Sequence, residues 1–117
     1  MNIDDIKPHE IIKVLVDDDG VEEHMWAKVI KNEGYFLFVT YLVPTEKVYK
    51  GACIYSFEPK ASAVEIESIS EHHEGVIDIS DVGFRKVETN MFAEEEDIDE
   101  TDDSEIEDLE DDDSLTD

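Results

Sequence analysis

Positive charge is what this chain has least of: 9 Lys and Arg stand against 34 Asp and Glu in 117 residues, a formal net charge of −25. Phosphate backbones and anionic lipid headgroups need neutralising cations before contact becomes favourable. Direct binding to nucleic acid or to a membrane is therefore not expected. Cysteine is nearly absent too. Cys53 stands alone, so no intramolecular disulfide can form, and a reducing cytosol or nucleus fits best. No apolar run approaches the ~18 residues that span a bilayer, and the opening "MNIDDIKPHE" has no positive region ahead of an apolar one. These absences predict a soluble intracellular protein, nuclear or cytoplasmic, that is not secreted.

Catalytic signatures are missing as well. No Gly-rich loop cradles phosphate, no Ser or Cys sits in a nucleophile elbow, and no Cys/His set has zinc spacing. "SEHHEG" at 70–75 offers two histidines and two carboxylates, but adjacent histidines point in opposite directions on a strand and diverge on a helix. A solvated turn is the expected reading. The chain is expected to be no enzyme, to carry no metal or cofactor, and to take no small-molecule substrate.

What is present is a β-pattern. About 117 residues make one domain, and the hydrophobic pattern from 11 to 69 consists of short β-branched and aromatic runs separated by turn residues. "IIKVLVD" (11–17) is closed by "DDG". "HMWAKVIK" (24–31) places Met25, Ala27 and Val29 on one face and Trp26, Lys28 and Ile30 on the other, and the lysine marks the wet side. "NEG" (32–34) joins it to "YFLFVTYLV" (35–43) as a hairpin. A loop from Pro44 to Lys50 leads to "GACIYSFE" (51–58), and "SAVEIESI" (62–69) alternates as a half-buried strand. The pattern predicts a mainly β fold: a small five-stranded antiparallel barrel or strongly bent sheet. Residues 76–89 add a helical turn capped by Ser80 and a short strand at Phe84–Val87. The expected organisation is an N-terminal arm (1–10), a β-barrel domain (11–90) with a short C-terminal addition, and an acidic tail (91–117).

The strand "MWAKVIK", a Gly-ended hairpin and "YFLFVTYL" resemble the start of a Tudor or agenet-type barrel, with Trp26, Ala27, Val29, Phe38, Val39 and Tyr41 at similar places. The resemblance covers residues 11 to about 69. It implies a small reader of methylated lysine or arginine whose aromatic walls attract a cation through their π-faces. The loop "VPTEKVYKG" is longer and more basic than the acidic-aromatic loop that usually completes such a cage. The candidate contact residues are Trp26, Tyr35, Phe36, Phe38, Tyr41, Tyr49 and Tyr55. Each weighs against a plain core role, and a cage needs three rings to converge. Trp26, on the polar side of its strand with Lys28, is the best exposed aromatic.

The clearest chemical signal is the tail. Residues 94–117 hold 16 acids and no base, whereas residues 1–93 hold 18 acids and all nine bases. Ordering so many like charges costs entropy and self-repulsion, with only Ile98, Ile106, Leu109 and Leu115 in compensation, so disorder in the free chain is expected. One reading is a solubilising tail. The other is a polyanion for a basic partner, with Glu94, Glu95, Glu96, Asp97, Asp111, Asp112 and Asp113 as contacts and Met91 and Phe92 as an anchor. Ser104 and Ser114, each with an acid three residues on, suit acid-directed kinases, which would deepen the charge.

Together these features predict a non-enzymatic interaction module for a basic protein, histone-like or transcription-associated. Two alternatives stand beside it: a structural or assembly subunit, cellular or viral, with a solubilising tail, and a DNA-mimicking inhibitor of a nucleic-acid-binding enzyme.

Overall fold

A computed structural model describes residues 3–103 and 105–108. It is mainly β: an antiparallel sheet curled into a half-barrel, with a few 3-10 turns. The strands are β1 (Ile11–Asp18), β2 (Val21–Asn32), β3 (Phe36–Tyr49), β4 (Ala52–Phe57), β5 (Ser62–Glu65), β6 (Ile69–His73), β7 (Phe84–Glu88), β8 (Met91–Glu94) and β9 (Glu107–Asp108). Their order is β6-β1-β2-β3-β4-β8-β7, with β5 and β9 also pairing with β3.

Turn chemistry fixes two of the registers. Asp18 pairs with Val21 and Tyr49 with Ala52, leaving Asp19-Gly20 and Lys50-Gly51 as two-residue loops in which all four φ angles are positive. Two successive left-handed residues give the twist that matches flanking strands, and glycine accepts that conformation without strain.

Strand alternation then builds cores on both faces of β1 and β2. Ile12, Val14, Ala27 and Val29 face one way and meet Leu37, Val39, Val64, Ile69 and Ile6 inside the curl of β6-β1-β2-β3-β5. Ile11 points the other way and joins Leu42, Ile79, Phe84 and Phe92, with Trp26, Tyr55 and Phe57 packed against them. Strand β3 serves both. Its first half pairs with β2 and β5, and its second half pairs with β4 and β9. The change falls between Tyr41, paired with Ala27, and Leu42, paired with Phe57. A register shift follows between Pro44 and Val48 within the β3–β4 ladder, and a bulge is where a strand tolerates a proline, which has no N–H to give the ladder.

Several expectations change here. There are nine strands among the described residues, not five. The segment expected as a loop, 44–50, is mostly strand. "SAVEIESI" is not one strand but β5, a 3-10 turn (Ile66–Ser68) and the start of β6. The turn at Ile79–Val82 is capped by Asp78, whose carboxylate accepts the Ser80 N–H at 3.0 Å, and not by Ser80. The N-terminal arm is pinned: Ile6 is buried, and the Asn32 amide donates to the Ile3 and Ile6 carbonyls, both at 2.8 Å. The acidic tail expected from position 91 begins inside the sheet, because β8 pairs with both β4 and β7.

Candidate functional site

The face of β1–β2 that carries Ile11 also carries Lys13, Trp26 and Lys28, since Lys13 pairs with Trp26 and Ile11 with Lys28. This face borders a cleft of about 420 Å³ lined by Lys13, Glu23, Trp26, Tyr55, Phe84 and Glu94 among others. Three rings form its apolar wall. Phe84 stands edge-on to Trp26 (centroids 6.5 Å apart, planes at 87°) and to Tyr55 (5.7 Å, 88°), the geometry that sets positive ring edges against negative faces. The His73 ring lies 5.2 Å from Trp26.

Charge is arranged around that wall. The Lys13 ammonium sits 4.7 Å from the centre of the Trp26 ring, within cation–π range, and 3.8 Å from Glu71. Glu23 and Glu94 add two carboxylates to the lining. Partial burial, reinforced by the charges of Asp97 and Glu96, pushes the Glu94 carboxyl up, and Lys13 pulls it part of the way back. Burial, with Cys53, Glu94 and Asp97 nearby, likewise pushes the Tyr55 phenol up. The cleft therefore combines three aromatic faces with two carboxylates, Glu23 and Glu94, and a single ammonium, that of Lys13.

Of the candidate aromatics, only Trp26 and Tyr55 meet in this cleft. Tyr35, at the tip of the β2–β3 hairpin, is 89% exposed. Phe36 and Phe38 pack edge-to-face on each other, centroids 5.1 Å apart, on the face of β3 opposite Leu37 and Val39. Tyr41 packs on the first core, and burial followed by the charge of Glu58 pushes its phenol up. Tyr49 leans on Ala52, Ala93 and Ile98, with the Lys50 ammonium 5.5 Å from its ring centre. Phe92 is buried in the second core and faces inward. Asp111, Asp112, Asp113, Ser104 and Ser114 lie outside the described residues. The sequence pattern marks Phe84 only as the start of a short strand and does not mark Lys13 as a contact. Phe84 reads as one more strand residue until the sheet closes, and no local signal marks Lys13 except its place opposite Trp26.

The two histidines of "SEHHEG" diverge as strand geometry requires. His73 Nε2 lies 3.0 Å from Glu71, beside Trp26. His72 turns inward to Glu10, its Nε2 2.6 Å from Oε1, and both side chains are almost fully buried. Glu10 Oε1 also accepts the Lys7 N–H, and Oε2 accepts the Gly75 N–H, each at 2.8 Å. Burial alone would push the Glu10 carboxyl up. The backbone donors and His72 outweigh it and bring it below the usual carboxylate range. This cluster joins the N-terminal arm to the end of β6 and is structural. Among the described residues no group of three or more His, Cys, Asp or Glu side chains is placed to hold a metal ion, and no helix is long and apolar enough to cross a membrane.

Comparison with models of known protein families, with curated protein sequences and with solved structures gives no match.

Proposed function

We propose that this chain is a non-enzymatic interaction module for a basic protein of histone-like or transcription-associated chemistry. The cleft of Trp26, Tyr55 and Phe84 takes a lysine or arginine side chain of that partner. The single observation that carries the reading is the chain's own Lys13 ammonium over the Trp26 ring, which occupies the place a partner's cation would take, beside the under-neutralised Glu94. A cation at an aromatic face contributes about 0.5–2 kcal/mol depending on its desolvation. The acidic segment supplies long-range attraction, which speeds encounter and weakens as salt is added. A Tudor-like barrel is the finer reading of the scaffold. It is supported by the order β6-β1-β2-β3-β5 around one core, with a 3-10 turn between β5 and β6.

Trp26 is the only tryptophan, so intrinsic fluorescence reports on the cleft directly. Lysine-rich histone-tail peptides, unmodified and methylated, are titrated into the full chain at low salt beside a neutral peptide of equal length. The reading requires a saturable change in Trp26 emission with the basic peptides, weakened at least 3-fold in Glu94→Gln. Binding detected by another probe with Trp26 emission unchanged removes the cleft from the account, and preference for the methylated form supports the cage reading.

A further inference from the structure

The described part of the acidic segment does not stand away from the body. After β8 the chain makes a 3-10 turn (Glu95–Asp97) whose first N–H, from Glu95, donates to the Gly83 carbonyl at 2.9 Å. Ile98 is buried against Ala52 and Ala93, and the Asp99 N–H reaches the Lys50 carbonyl at 2.9 Å. Strand β9 closes the path by pairing Asp108 with Lys47 and Glu107 with Val48 on β3. Four of the nine basic residues, Lys47, Lys50, Arg85 and Lys86, lie along or beside this path, and Arg85 and Lys86 line a cavity with Glu105 and Ile106 of the acidic segment. Arg85 is the centre of it. Its Nε and Nη2 donate to the two Glu95 oxygens, each at 2.9 Å, and Nη2 also donates to Glu100. Arg85 in turn holds the Glu100 carboxyl below the usual range, with Lys50 adding to the effect.

We propose that the described residues 95–103 and 105–108 form a removable strap, an internal acidic ligand laid on a basic strip, and that a polycationic partner binds by taking the carboxylates of Glu95 and Glu100 from Arg85. Lifting the strap uncovers the strip and the outer edge of β3 at Lys47–Val48, which now pairs with β9. The fixed bidentate geometry distinguishes this from general charge attraction, because a planar guanidinium matches a carboxylate with two parallel bonds. The exposed setting keeps it reversible, since surface ion pairs are individually weak and screened by salt. The proposal rests in part on the basic-partner reading above.

The test uses the full chain, a decalysine peptide as the cation, and two variants of equal charge. Arg85→Gln releases the carboxylates of Glu95 and Glu100, and Lys60→Gln removes a cation from an exposed loop away from the strap. Simple electrostatics predicts the same small gain in affinity for both. The strap predicts that Arg85→Gln binds decalysine 3- to 10-fold more tightly than Lys60→Gln, and that amide exchange at Glu95 and Asp99, whose N–H groups the body's carbonyls hold, quickens in Arg85→Gln alone. Equal affinities with unchanged exchange overturn the strap. If no form binds decalysine at low salt, the basic-partner reading fails by itself, and the exchange data then decide the strap separately: quickening confined to Arg85→Gln keeps it, no difference removes it.

Discussion

Replacing Glu10 by Gln tests the buried carboxylate where its chemistry is most exposed to measurement. Glu10 is 4% exposed and accepts the Lys7 and Gly75 N–H groups as well as contacting His72. Glutamine keeps the shape but only one acceptor oxygen, so its NH2 faces a backbone donor and one buried N–H is left unpaired. A buried donor without a partner costs about 1–3 kcal/mol. An expected loss of about 2 kcal/mol lowers the melting temperature by about 8–16 °C for a domain near 100 residues. The backbone donors and His72 hold the folded-state carboxyl below the ordinary glutamate range, so its contribution is fully present above the unfolded value and is lost as pH falls through the folded one. Urea unfolding of the wild type and of Glu10→Gln, followed by far-UV circular dichroism, should therefore show a gap at pH 7 that narrows steadily below pH 4.5. The other carboxylates titrate in both proteins and cancel in the difference. A gap under about 0.5 kcal/mol at pH 7, or one that stays constant to pH 3, would refute the reasoning.

Leu37→Ala empties a position with no solvent exposure in the first core and should cost about 2–5 kcal/mol, whereas Tyr35→Ser, at the exposed hairpin tip, should stay within about 0.5 kcal/mol; denaturant midpoints measure both. Asn90 has φ 56°, accepts the Phe57 N–H at 2.9 Å and donates to the Phe57 carbonyl at 3.2 Å. Asn90→Ala should cost about 1–3 kcal/mol through lost bonds and left-handed strain, and Asn90→Gly should recover part of it by removing the strain alone; equal losses would show that strain contributes nothing.

Period-two patterning made β1, β2 and β4 legible, because their alternating residues report burial locally. It fell short wherever a distant partner decides the outcome. The "VPTEKVY" run carries a proline and charges and reads as a loop, yet it is strand because β4 and β9 flank it and a bulge absorbs Pro44. Val64 and Ile66 alternate as one strand would, but the chain turns at Ile66 so that Ile69 can reach the first core. Phe92 and Ala93 precede a dense run of acids and read as the start of a tail. Their burial follows from the pairing of β8 with Tyr55 and Ile54 some 40 residues earlier. The cleft was half legible: Trp26 and Tyr55 stood out as aromatics, while Phe84 is brought to them by the closing of β7 on β8, which no local pattern encodes.

Strand β3 belongs to both halves of the sheet, contributing Leu37 and Val39 to one interior and Leu42 to the other. A single 14-residue segment thus acts as a common axle. Neither half can come apart while the other keeps its shape, so heat should melt the body in one transition, and a protease that nicks this segment should release both halves at once.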